Sequence, residues 1–404
     1  MQKPWYVPNG AAVVLFVACT EASVPPPVTV TTRDSVGIVI VENRMDTAEI
    51  RSGWALGGEP LLTIGGVDAP ESQQLFRVSG ARRLADGRVA VVDGGEAELR
   101  IYDARGRLER THGRRGEGPG EFESPVLAGL LTSDSLVVYD SRLRRASVLH
   151  VDGGYARSYL IGEEGGGYPV VIGIAENGGL AMGGGMRFSS AEGFPTGLVR
   201  PNSRYVVLTP EGGVRGDLGD VPAAEMFART GGGTFQASTL PFGRRTVAAA
   251  GHDHLWLGTG DAWEINVYTM DATLTRVVRF DRARQPVTAE LRAAYLAERL
   301  ADVDDEAEAR AARASVAELP IPGLVPPYDH VMLDALGDVW IGEYLLPGQL
   351  HRTYTIVDAH GSAIGRLTLP SRTRPLDIGP DYVLAQTLDE LDVERLTLWR
   401  LDRP

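Results

Sequence analysis

A turn of Gly, Asp or Asn followed by about five strand-like residues recurs six times along the chain. Each recurrence is followed by a second β-rich run. Glycine and proline (49 and 25 of 404 residues) reach about 18%, against an average of roughly 12%. Together these observations predict an all-β fold: a six-bladed β-propeller closed by an N-terminal strand, with one helical insertion.

The first element is an address. Lys3, an apolar run from Ala11 to Ala18 and then Cys19 describe a secretory signal over residues 1–18. The run is far shorter than the roughly 20 residues a membrane span needs. Leu15-Phe16-Val17-Ala18-Cys19 resembles the lipobox of bacterial lipoproteins, with Phe16 standing where leucine is usual. That resemblance implies lipidation of Cys19; a plain signal peptide with an incidental cysteine is the alternative. Cys19 is the only cysteine, so no disulfide is available and packing must supply stability. Residues 19–33, with Pro25-Pro26-Pro27, read as the lipidated cysteine and a semi-rigid tether. Thr20 after the cysteine resembles an outer-membrane destination where two membranes exist.

Residues 34–404 read as the propeller. The repeated turn precedes Val89–Asp93, Leu136–Asp140, Leu180–Met182, Leu255–Gly258, Val339–Gly342 and Tyr382–Ala385. The following runs, such as Leu99–Asp103 and Ser147–Asp152, end in turn chemistry as hairpin strands do. The period is 43 to 47 residues and stretches to 75 and 84 in two places. The first excess is the glycine-rich stretches 183–203 and 221–243. The second, about 286–319, has Leu291, Tyr295, Leu296 and Leu300 at helical spacing and abundant alanine, which predicts the helical insertion. The last repeat has three strands before Pro404, so the fourth must come from elsewhere. Pro60–Gly66 aligns with Leu108–Gly113 and is expected to close the ring.

Gly113-Arg-Arg-Gly-Glu-Gly-Pro-Gly-Glu-Phe122, then Pro125, Leu136–Asp140, Arg145 and Val148–Gly153 resemble an NHL-type repeat. The chain from about residue 34 resembles the bacterial six-bladed β-propeller lipoproteins of that broad group. The match is specific in the first two blades and weak in the third and fourth. The resemblance implies a fold and an exported location, and a structural pairing of Arg145 with Asp140. The glycines of the linker read as tight inter-blade packing rather than a phosphate loop, since no GKS/T follows.

Charge narrows the partners. Forty basic against fifty-three acidic residues give −13, which argues against nucleic acid. Lys3 is the only lysine, so a cleaved chain has no catalytic lysine. Arg82, Arg83, Arg114, Arg115, Arg244 and Arg245 fall near blade ends and are the candidate ligand-binding residues, as one anion-binding rim. Exposed charges paired with Glu117, Glu121 and Glu123 are the plainer reading. His252 and His254 share a face but lack further zinc ligands nearby, and Asp302–Glu308 lacks the glycine and spacing of a calcium loop. Neither a metal nor a cofactor is expected. No Gly-x-Ser-x-Gly elbow occurs. Trp256 and Trp340 occupy equivalent positions and are expected to pack between blades.

The functional expectation is a membrane-tethered, extracytoplasmic, non-catalytic binding propeller, monomeric, contacting a protein, peptide or glycan through one face. The alternative is a calcium-dependent hydrolase or lactonase of the six-bladed type, for which Asn177 and Asp253 are the nearest metal-ligand residues. A sensor of a small anion, resting on the arginines, is a third reading.

Overall fold

The computed structural model describes residues 29–44, 53–70, 73–162, 169–185, 195–231, 234–389 and 391–404. Cys19, the signal sequence and most of the tether lie outside them. Thr29–Arg33, read as the end of the tether, belong instead to a strand, β1 (Thr29–Ser35), which forms a hairpin with β2 (Ile38–Arg44). Two short strands follow, β3 (Ala55–Leu56) and β4 (Leu62–Gly65).

Four-stranded antiparallel units then succeed one another. The first is β5 (Val78–Arg83), β6 (Val89–Asp93), β7 (Glu98–Tyr102) and β8 (Leu108–His112). The second is β9 (Pro125–Thr132), β10 (Ser135–Asp140), β11 (Arg145–His150) and β12 (Gly154–Leu160). The third has β13 (Pro169–Ile174) and β14 (Leu180–Gly184), then, after β15 (Gly197–Val199), β16 (Asn202–Leu208) and β17 (Val214–Pro222). A hairpin, β18 (Met226–Gly231) and β19 (Thr234–Thr239), pairs with β15 in a small separate sheet. The fourth unit is β20 (Val247–Gly251), β21 (His254–Gly258), β22 (Glu264–Thr269) and β23 (Leu274–Phe280). Helices α1 (Ala289–Leu300) and α2 (Glu306–Ala317) come next. The fifth unit is β24 (Tyr328–Leu333), β25 (Val339–Glu343), β26 (His351–Val357) and β27 (Ala363–Pro370). The sixth is β28 (Thr373–Ile378), β29 (Tyr382–Leu388) and β30 (Glu394–Asp402).

The second strand of a unit is its most buried. All five residues of β6 and all six of β10 are buried, because both sheet faces are covered by neighbouring units. That is why these strands read as unbroken apolar runs instead of alternating. Six hydrophobic clusters lie one between each successive pair of units. One of them joins Leu384, Leu396 and Leu398 of the sixth unit to Val78, Val89 and Val91 of the first. Trp256 packs with Tyr328 and Ile341 of the next unit, and Trp340 with Ile378 and Val383. Radially arranged sheets whose first strands surround one channel are the architecture of a β-propeller.

The N-terminal segment stitches the later units together. β4 pairs antiparallel with β30, Leu62 opposite Leu398 and Gly65 opposite Arg395. β2 pairs parallel with β23 and so extends the fourth unit. Asn43, fully buried, donates through Nδ2 to Gly361 O at 2.9 Å and Arg279 O at 3.2 Å, and its Oδ1 accepts from Ala363 N at 2.8 Å. Trp54 then wedges against Trp340, ring centroids 5.6 Å apart and edge to face.

The insertion read as one helical stretch is a pair of helices. Thr288 caps α1 by accepting from Leu291 N, and Asp305 caps α2 by accepting from Ala307 N and Glu308 N. An Asp N-cap inside the acidic run Asp302–Glu308 explains the break. In every unit the first strand starts at what we term the entry face and ends at the exit face. Both insertions leave from the entry face: β18–β19 and α1–α2 each lie between the last strand of one unit and the first of the next.

Candidate functional site

The first strands of all six units line one cavity of about 1030 Å³. Its wall has two arcs. β9, β13 and β20 contribute Leu127, Leu130, Val170, Ile172, Val247 and Ala248. β24, β28 and β5 contribute Asp329, His330, Arg374, Asp377, Arg82 and Arg83.

At the exit end, Asp377 is almost fully buried at 3% exposure. Its Oδ1 accepts from Arg82 Nη1 at 2.6 Å, and its Oδ2 from Arg83 N and Tyr382 Oη, both at 2.8 Å. Burial first, then the adjacent Asp377 charge, push the Tyr382 phenol well above its usual pKa. Arg83 stacks over the Tyr382 ring at 4.8 Å. Its Nε is buried with no acceptor among the described residues, and Asp381 stands 3.9 Å from its Nη1. Asp334, also in the wall, accepts from Trp340 Nε1 at 3.1 Å and Arg403 Nη2 at 2.8 Å.

At the entry end, Asp329 is paired with Arg352. His330, on the same strand, lies edge-on to Tyr354 at 6.0 Å, and its Nε2 is buried with no partner among the described residues. Desolvation, then the charge of Arg352, push its pKa down to about 4; Arg374 acts the same way and Asp329 opposes. Arg374 donates from Nη2 to Val78 O at 2.8 Å. Among the described residues no carboxylate lies within 4.0 Å of its guanidinium. Desolvation lowers its pKa, and Glu394 opposes this from a distance. Glu394 itself accepts from Val78 N at 2.8 Å. Asp377, Asp334 and Asp329 therefore have donors already, and at the entry end the spare capacity is in the nitrogen groups of Arg374 and His330.

The six arginines picked out in the sequence do not form one rim. Arg82 and Arg83 end β5 at the exit face and line the channel. Arg114 and Arg115 lead toward β9, and Arg244 and Arg245 toward β20, at the entry face. Arg114 is held by Glu121 (Nε to Oε1, 2.8 Å), and Arg115 donates to Gly95 O at 2.7 Å. Arg244 is bound to Glu225 and Asp261. Burial would raise the Glu225 carboxyl, but Arg244 overcomes this and holds it below the usual range. Arg245 is exposed. Arg145 also departs from expectation. It faces Asp140 in the strand register, yet its guanidinium donates to the carbonyls of Glu117, Gly118 and Glu121. Asp140 instead accepts from the backbone of Glu123, Ser124, Arg142 and Leu143. The glycine-rich linker is thus clamped as a structural turn.

His252 Nε2 contacts Asp334 O of the next unit at 3.2 Å, and His254 Nδ1, at the start of β21, contacts His252 O at 2.9 Å. Asn177 Oδ1 accepts from Gly179 N at 3.0 Å, and Asp253 sits in the β20–β21 turn. Among the described residues no group of three or more His, Cys, Asp or Glu is placed to hold a metal ion. Arg374, His330, Asp329 and Asp377 escaped the sequence reading because it keyed on the apolar second strands. Asp334 and Asp377, charged residues ahead of the repeated turn in the fifth and sixth units, were the available signal.

No family model matches the chain, and no curated protein matches it. Among solved structures, it is similar to a member of the DUF4221 family from Bacteroides vulgatus, at 10% identity and TM-score 0.48, covering 87% of this chain and 99% of that one. It is similar to a gluconolactonase from Xanthomonas campestris, at 13% identity and TM-score 0.40, covering 82% and 87%. It is also similar to the β-propeller domain of Cps50 (Swd1) from Myceliophthora thermophila, at 12% identity and TM-score 0.36, covering 84% and 98%. Fold and site together define a β-propeller with a two-sided central channel. No helix among the described residues is long and apolar enough to cross a membrane.

Proposed function

We propose that this chain is a six-bladed propeller closed by β4, exported and tethered through lipidated Cys19, that works as a binding platform. Its protein, peptide or glycan partner is taken on the entry face. One observation carries the reading: two insertions, from different gaps in the repeat, meet on that face. Phe242, beyond β19, packs edge to face on Tyr295 of α1 at 6.3 Å, and its N–H donates to Tyr344 Oη at 3.0 Å. Arg229 of β18 pairs with Glu318 after α2 at 2.7 Å. Neither insertion completes a blade, so their mutual packing makes a composite surface that the scaffold itself does not need. The six inter-unit clusters and the β4–β30 ladder support closure.

Photo-crosslinking in cells tests this. A crosslinker at Arg229 or Tyr295 should give discrete partner adducts, and one at Asp86 or Glu176 on the exit face should not. Equal labelling of both faces, or none, overturns the reading. Cys19→Ser should move the chain out of the membrane fraction. A chain beginning at residue 67 should aggregate, because β30 then exposes an unpaired edge; a soluble, cooperatively unfolding truncation would sink the closure.

A further inference from the structure

The channel wall combines spare donors on one side with an apolar surface on the other. Resting on the binding-platform reading above, we propose that the entry half of the channel holds a small organic monocarboxylate with an apolar body. Its carboxylate lies on Arg374 and His330 Nε2, and its apolar part lies along Leu127, Val170, Ile172 and Val247.

Arg374 is a guanidinium in the wall whose one hydrogen bond among the described residues goes to a neutral carbonyl, Val78 O, at 2.8 Å. Arg374 is exposed in the channel lining, so an arriving carboxylate can pair with its guanidinium directly. The nearby carboxylates are engaged: Asp329 by Arg352 and Glu394 by Val78 N. His330 adds a buried nitrogen with no partner on the neighbouring strand. In the neutral Nε2–H tautomer it donates to the same carboxylate. At the entry end Arg352 is neutralised by Asp329, which leaves Arg374 as the wall cation there with no carboxylate within 4.0 Å among the described residues and so favours a monoanion over phosphate. Across the channel Val170 is 56% exposed, a large apolar side chain facing the lumen. A cavity of about 1030 Å³ is ample for such a ligand.

Calorimetry on the full chain carrying Cys19→Ser, free of detergent, tests this with octanoate, octanol and acetate. Octanoate should bind at least tenfold more tightly than octanol, which lacks the charge, and than acetate, which lacks the apolar body. Arg374→Gln should weaken octanoate about tenfold or more, and His330→Phe should weaken it while His330→Gln retains part of the affinity. Arg110→Gln, on the outer strand β8, should change nothing. Each variant's melting curve shows whether it is folded. Octanoate binding no better than octanol, or undiminished in folded Arg374→Gln, overturns the proposal. Entry-face crosslinks at Arg229 and Tyr295 are read separately, so they can survive when octanoate binding fails, and the reverse.

Discussion

The two arcs of the channel wall solve one packing problem in different ways. In the arc of β9, β13 and β20 glycines let the first strands approach closely. β13 and β20 meet at Gly173 and Ala250, and a Cβ on Gly173 would fall 1.9 Å from Ala250 O. In the arc of β24, β28 and β5 the contacts are ionic. Asp377 on β28 ties down Arg82, the Arg83 backbone and Tyr382. Close approach leaves an inert apolar surface. Ionic pairing leaves nitrogen donors in the wall wherever a cation lacks its carboxylate. The difference teaches where to look for recognition: in the ionic arc, at the group whose partner is missing.

The most severe way to break the comparison is Asp377→Ala. It strands a buried donor set and the Arg82 charge, and should cost about 4 kcal/mol, read by denaturant unfolding. A loss below 1 kcal/mol would mean the ionic arc is not held as described. Next is pH. The folded His330 pKa of about 4 lies below the unfolded value of 6.5, so the unfolded state takes up the proton first. Stability should be complete above pH 6.5 and fall by roughly 3 kcal/mol as pH drops toward 4. His330→Phe should flatten that slope; Asp329, Arg352 and Arg374, the charges acting on the ring, remain in the variant. Gly173→Ala tests the other arc and should cost about 2 kcal/mol with no change in the pH profile. An unaltered melting point would refute the close approach. The smallest effect is Val170→Ala, which should cost under 1 kcal/mol, because this side chain already faces the lumen.

Much of this was legible in advance. The apolar second strands, the alignment of Pro60–Gly66 with an outer strand and the packing of Trp256 and Trp340 follow from local patterns, and β4 lies on β30 as that alignment predicts. The detail after that strand was not legible: Phe122, following the linker after β8, is fully buried, whereas Phe76, following β4, is 55% exposed and Leu75 is buried in its place. The arginine rim failed for a more general reason. Adjacent arginines in sequence say nothing of which end of a strand they occupy relative to other units.

By itself the sequence determined which segments are strands, where turns recur and where the two excess stretches fall, since each depends on neighbours a few residues away. Tertiary structure alone decided that Arg82 meets Asp377, 295 residues on, and that Arg374 reaches Val78, 296 residues back, with no carboxylate within 4.0 Å among the described residues. Periodicity records whether a side chain is buried. It does not record which unit stands beside which around a channel, or the stagger between their first strands, and those two quantities set every contact in the wall.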